Sequence, residues 1–134
     1  MKIDQVYLKG LLEAFEDSPD PTTDIEVLAR AGFSYETDTS MFTFHMSLLD
    51  DMGLIEREDG EAGFGRYAGI GGFNSWSVIP LRLTANGHEF LEALRNKDVW
   101  STIQRDFKNA GIRTMYQVAT SLLAAYLTNK ITSL

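Results

Sequence analysis

Leu83-Thr84-Ala85-Asn86-Gly87-His88-Glu89-Phe90-Leu91 is where this chain turns from strand to helix. Thr84 is a good N-cap, because its hydroxyl can accept from a free amide of the first helical turn. Phe90, Leu91 and Leu94 then give the helix an apolar side. Working back from Thr84, residues 76 to 84 read as a strand, with Ile79, Leu81 and Leu83 alternating onto one face. Pro80 has no amide hydrogen to donate, so an edge strand or a bulge is expected there.

Further upstream stands a second ordered stretch, His45-x-x-Leu48-Leu49-x-x-x-Gly53-Leu54-Ile55. It reads as a helix from about Asp38 to Met52, stopped by Gly53, followed by a strand from Leu54 to Asp59. At helical spacing Met41, Phe44, His45, Leu48 and Met52 share one side, with Leu49 at its edge. Thr39, Thr43, Met46, Ser47 and Asp50 fall on the opposite side. Between the two stretches, residues 60–75 hold six glycines. That segment is too irregular for a tight hairpin turn and is expected to be a flexible wing. Helix, glycine stop, strand, long hairpin, strand and capped helix together spell a winged helix-turn-helix. The expected fold class is mainly α with a small β-hairpin (α+β), with further C-terminal helices.

Residues 3–17 show Ile3, Val6, Tyr7, Leu11, Ala14 and Phe15 at helical spacing, ended by Pro19 and Pro21. Residues 22–33 fit a short helix, Asp24 to Ala31, capped by Thr23 and stopped by Gly32; the run from Asp24 to Leu28 equally fits a short strand. Asp98 is a candidate cap for a turn beginning at Val99 and Trp100, broken at Ala110-Gly111. A last helix over 113–130 carries Met115, Val118, Ala119, Leu122, Ala125 and Tyr126, widened by Leu123 and Leu127. The organisation expected is a winged-helix domain over 1–110 and a C-terminal helix over 111–134 that packs or dimerises.

A chain of 134 residues with 44% hydrophobic content can bury a core without staples. With no cysteine, disulfides, thiolate catalysis and Cys-ligated metals are excluded. The first residues lack the apolar run of a signal peptide, and no stretch is long enough to span a bilayer. The expectation is a cytoplasmic protein with no membrane partner. The net charge of −7 is unevenly distributed. Residues 1–61 hold 15 acidic and 4 basic side chains, whereas residues 62–134 hold 4 acidic and 8 basic.

These blocks resemble a domain-of-unknown-function family of bacteria, phages and prophages that is expected to be winged-helix. The pattern falls here on His45, Leu48, Leu49, Gly53, Leu54 and Ile55, then on Leu83, Thr84, Gly87, His88, Phe90, Leu91, Arg95 and Trp100. The glycine-rich insert between the blocks is long for that pattern. The resemblance implies a fold and a setting, with the motif residues structural, and carries no activity.

Catalytic and cofactor readings fail on their residue sets. His88-Glu89-Phe90-Leu91-Glu92 lacks the second histidine of a zinc-protease helix. Gly69-Ile70-Gly71-Gly72-Phe73 lacks the Lys-Ser/Thr pair of a phosphate loop. No nucleophile-base set or carboxylate pair stands out. The expectation is a non-enzyme with no cofactor and no metal, in which His45 lies in the buried stripe and needs a hydrogen-bond partner.

Two binding readings remain. Between Glu36 and Glu56 there is no Lys or Arg, so nothing on the 38–52 helix would hold a DNA backbone. The favoured reading is a regulator or inhibitor that binds a protein through its acidic surface. The wing, with Arg66, Tyr67, Phe73 and Trp76, would supply aromatic anchors; the alternative for Trp76 is burial beneath the hairpin. The runner-up is a DNA-binding transcriptional regulator presenting Thr39, Thr43, Met46, Ser47 and Asp50 to the groove, with Arg66 at a phosphate. The wide apolar stripe on the last helix adds the expectation of a homodimer, against the alternative that it packs back on the first helix.

Overall fold

The computed structural model describes residues 1–133. Its elements run α1 (Gln5–Glu16), α2 (Ile25–Arg30), α3 (Thr39–Asp51), β1 (Ile55–Arg57), β2 (Arg66–Ala68), a 3-10 turn (Ile70–Gly72), β3 (Asn74–Trp76), β4 (Leu81–Leu83), α4 (Ala85–Arg95), α5 (Lys97–Asp106) and α6 (Ile112–Thr132). The fold class is therefore mainly helical with small antiparallel ladders.

Local chemistry sets the helix ends. Asp4 starts α1 by accepting from the Tyr7 amide at 3.0 Å. Asp24, rather than Thr23, caps α2, accepting from the amides of Glu26 and Val27. Asn96, rather than Asp98, caps α5 through the amides of Asp98 and Val99. Helix α3 ends where Gly53 takes φ +66. Its amide and that of Leu54 turn back to the carbonyls of Asp50 (3.0 Å) and Leu49 (2.8 Å), a glycine-dependent stop that satisfies the final carbonyls.

β1 pairs antiparallel with β4 in the register Ile55↔Leu83 and Arg57↔Leu81. On its other side β4 meets Thr23, whose amide and carbonyl both bond to Leu81. The helix expected in this segment forms as Ile25–Arg30, whereas the alternative strand over Asp24 to Leu28 does not; the single bridge residue, Thr23, lies just before that run. With neighbours on both sides β4 is not an edge, and Pro80 sits in the irregular stretch just before it, its carbonyl accepting from the Glu58 amide. The glycine-rich segment carries a second ladder, β2 with β3, in the register Arg66↔Trp76 and Ala68↔Asn74. The hairpin is thus two short ladders joined by an excursion over 58–65, from which Phe64 is buried in the core.

One core joins all six helices with β1 and β4. Leu8, Leu11, Leu12 and Phe15 of α1 lie at its centre, while Val6 is 65% exposed and belongs to the outer face. Helix α6 adds Met115 and Ala119 to this core and packs on α4 and α5.

Candidate functional site: the α3 face and the hairpin tip

The buried side of α3 is Phe42, His45, Met46 and Leu49, spaced as one helical stripe. This rotates the face from the one expected. Met46, placed on the outward side by its periodicity, is fully buried, and Phe42 is the large core residue that the pattern missed. The helix is apolar on too many sides for its spacing alone to choose among them. Thr39, Thr43, Ser47 and Asp50 are half-buried, and only Ser40 and Asp51 of this helix are exposed. The Thr39 hydroxyl donates to the Tyr35 carbonyl at 2.8 Å, and the Thr43 hydroxyl is buried without a partner. Burial, with Asp51 beside it, pushes the Asp50 carboxyl above its usual range.

His45 has the partners its burial demands. Its Nδ1 lies 2.8 Å from the Met41 carbonyl and its Nε2 accepts from the Asp4 amide at 3.0 Å. That pair of bonds defines a neutral ring with the proton on Nδ1. Burial lowers its pKa, opposed by the Met41 carbonyl and by Asp4 and Asp38. Tyr7 packs against the ring at 4.7 Å, and burial with nearby Asp38 pushes its hydroxyl up to about 12. With both nitrogens engaged, His45 is a clasp between α3 and the start of α1.

Thr84 and Gly87 lock the two sequence blocks together. Thr84 donates to the Gly53 carbonyl at 2.6 Å and accepts from the Gly87 amide at 3.1 Å. A Cβ on Gly87 would stand 2.1 Å from the Leu54 carbonyl oxygen, so α4 approaches the end of α3 more closely than any other residue permits. Phe90 is buried against Tyr116 of α6. Arg95 pairs with Glu16 and Glu13 of α1, and Lys9 lies 4.9 Å over the Trp100 ring. Leu48 is half-buried, whereas Leu49 is at the centre of the core. His88 is exposed, with Nδ1 3.9 Å from Glu16.

The hairpin divides its aromatic residues. Trp76 is half-buried, with Tyr35 at 5.2 Å, Phe42 at 5.9 Å and Phe64 at 6.3 Å. It holds the hairpin to α3 and is not available as a free anchor. Tyr67 is 49% exposed, Phe73 76% and Ile70 99%. Ile70 was missed from the sequence, although its neighbours Gly69, Gly71 and Gly72 have no side chains with which to cover it. Arg66 is half-buried and makes no ion pair among the described residues.

Charge is less segregated than the sequence halves imply. Arg82 pairs with Glu56 across the ladder, and Arg95 pairs with Glu13 and Glu16, so two cations of the C-terminal half are spent on acids of the N-terminal half. Arg57 is bound to Asp59 at 2.6 Å, and that bond, helped by the Glu61 amide, holds the Asp59 carboxyl below its usual range. Among the described residues no group of three or more His, Asp or Glu is placed to hold a metal, and no helix is long and apolar enough to cross a membrane.

An uncharacterised protein of Haemophilus influenzae is 30% identical over 94 residues, covering 67% of this chain and 71% of the relative. No solved structure matches the chain. The model of the family described as hypothetical protein DUF2513 matches residues 2–113, a span that contains both motif blocks and the hairpin between them, and the chain belongs to that family.

Proposed function

We propose that this chain is a non-enzymatic winged-helix module of a phage- or prophage-associated regulator or inhibitor that acts in the cytoplasm by binding a protein. The winged-helix reading is supported by the succession α1, α2, α3, then a hairpin whose β4 lies between Thr23 and β1. The observation that carries the binding reading is the hairpin tip. Ile70, Phe73 and Tyr67 stand in solvent on a chain that buries its other large aromatics at least in part. Exposed apolar clusters of this kind mark protein contacts. Glu58 and Glu61 on the same hairpin add negative charge, which fits a partner with an apolar pocket and a basic rim.

DNA binding is the weaker reading. Helix α3 carries no cation, and Arg57 and Arg82 are already bound to Asp59 and Glu56. The test is a nuclease-treated pull-down from a bacterial host lysate, with the wild type and Ile70→Ser/Phe73→Ser as baits. A discrete protein held by the wild type and lost with the variant is expected. Enrichment of specific DNA, abolished by nuclease or by raising salt and indifferent to the tip, would replace this reading with a transcriptional regulator.

A further inference from the structure

We propose that the outer half of α6 and the groove between α4 and α6 form one self-complementary surface, occupied by a second copy of this chain. The groove has a volume of about 240 Å³ and is lined by Glu89, Glu92, Thr120, Leu123, Ala124 and Leu127. Beyond it α6 continues toward Thr132 with Leu127 45% and Ile131 70% exposed. Leu123, Leu127 and Ile131 are four residues apart and so lie along one side of the helix.

The charges identify the occupant. Helix α6 contains Arg113 and Lys130 and no acidic residue. Glu89 and Glu92 stand exposed at the rim of the groove, and neither they nor Lys130 makes an ion pair among the described residues. Lys130 only lies over its own Tyr126 ring, at 5.7 Å. Two copies of α6 crossing antiparallel about a two-fold axis at Leu127 would set each Leu127 against the other. Ile131 of one copy would then face Leu123 of the other, and Lys130 would face Ala124. Ala124 is small enough for close approach and shares the groove with Glu89 and Glu92. Each copy thus supplies an apolar ridge and a cation to an apolar groove with an acidic rim, twice over, as an isologous interface requires.

The test is the solution mass of the full chain by sedimentation equilibrium, over a wide range of protein concentration. A dimer that dissociates on dilution is expected. Leu127→Glu is expected to give a monomer with an unchanged helical circular-dichroism spectrum. Both Glu89→Lys/Glu92→Lys and Lys130→Glu are expected to be monomeric at concentrations where the wild type is dimeric, and the three changes combined to restore the dimer. A wild-type monomer throughout, a dimer that survives Leu127→Glu, or charge-reversed variants that the combination does not rescue would each overturn the proposal. The positions reversed are exposed, so the rescue arm stands even if Leu127→Glu perturbs folding.

Discussion

Replacing Gly87 with alanine sets two effects of opposite sign against each other. Helix propensity favours alanine over glycine in a helix by about 1 kcal/mol, and Gly87 lies inside α4 with no positive φ to require glycine. Judged by α4 alone, Gly87→Ala should stabilise the protein. In the fold, however, the new methyl would stand 2.1 Å from the Leu54 carbonyl oxygen and 3.2 Å from Leu83 Cδ2. The first contact is with backbone, which cannot rotate away. The start of α4 must retreat, stretching the Thr84 bonds to Gly53 and Gly87. Overpacking of this kind costs about 1–3 kcal/mol, and loss of an N-cap about 1 kcal/mol more. The net expectation is a destabilisation of roughly 1–3 kcal/mol, or about 3–12 °C in Tm for a domain of this size. Urea and thermal unfolding followed by circular dichroism measure it, with Asn86→Ala as an exposed neighbour in the same turn. A Gly87→Ala protein as stable as the wild type, or more stable, would refute the close-approach argument.

His45 gives a pH signature. Its pKa is lowered in the folded protein, so the unfolded chain takes up the proton first, and stability should fall as the pH drops below about 6.5. His45→Phe should flatten that part of the profile while lowering stability at neutral pH, because the Asp4 amide loses its acceptor; an unchanged slope in urea midpoints would count against the clasp. The phase of α3 is tested by a pair of truncations. Phe42→Ala should cost about 3–5 kcal/mol, as for a fully buried aromatic. Met41→Ala, at a half-buried position, should cost about 1 kcal/mol or less; equal costs in urea unfolding would contradict the observed stripe.

What could be read in the sequence and what could not divides along the range of the forces involved. Gly53 and Thr84 mark helix ends because their effects act within one turn: a left-handed backbone conformation at one, a hydroxyl beside free amides at the other. The strand alternation of Leu81 and Leu83 is local in the same way. The need of His45 for a partner followed from its place in an apolar stripe, although which groups would serve did not. The rotation of α3 was beyond that reach, because Met41, Phe42, Phe44, Met46, Leu48 and Leu49 offer apolar surface in several directions. Only packing against α1 and the strands selects Phe42 and Met46. Trp76 likewise alternates equally well inward or outward until Tyr35, Phe42 and Phe64 stand beside it.

The sequence by itself determined the class of fold, the positions of most helices and the absence of cysteine chemistry, because composition, periodicity and capping are properties of neighbouring residues. Only the tertiary structure decided which charges remain free and which apolar side chains meet solvent. Arg95 finds Glu16 across 79 residues of chain, and Ile70 stays exposed because, among the described residues, no distant segment folds over the glycines around it. Both outcomes depend on which surfaces come together in space, a long-range result of chain packing that no local pattern encodes.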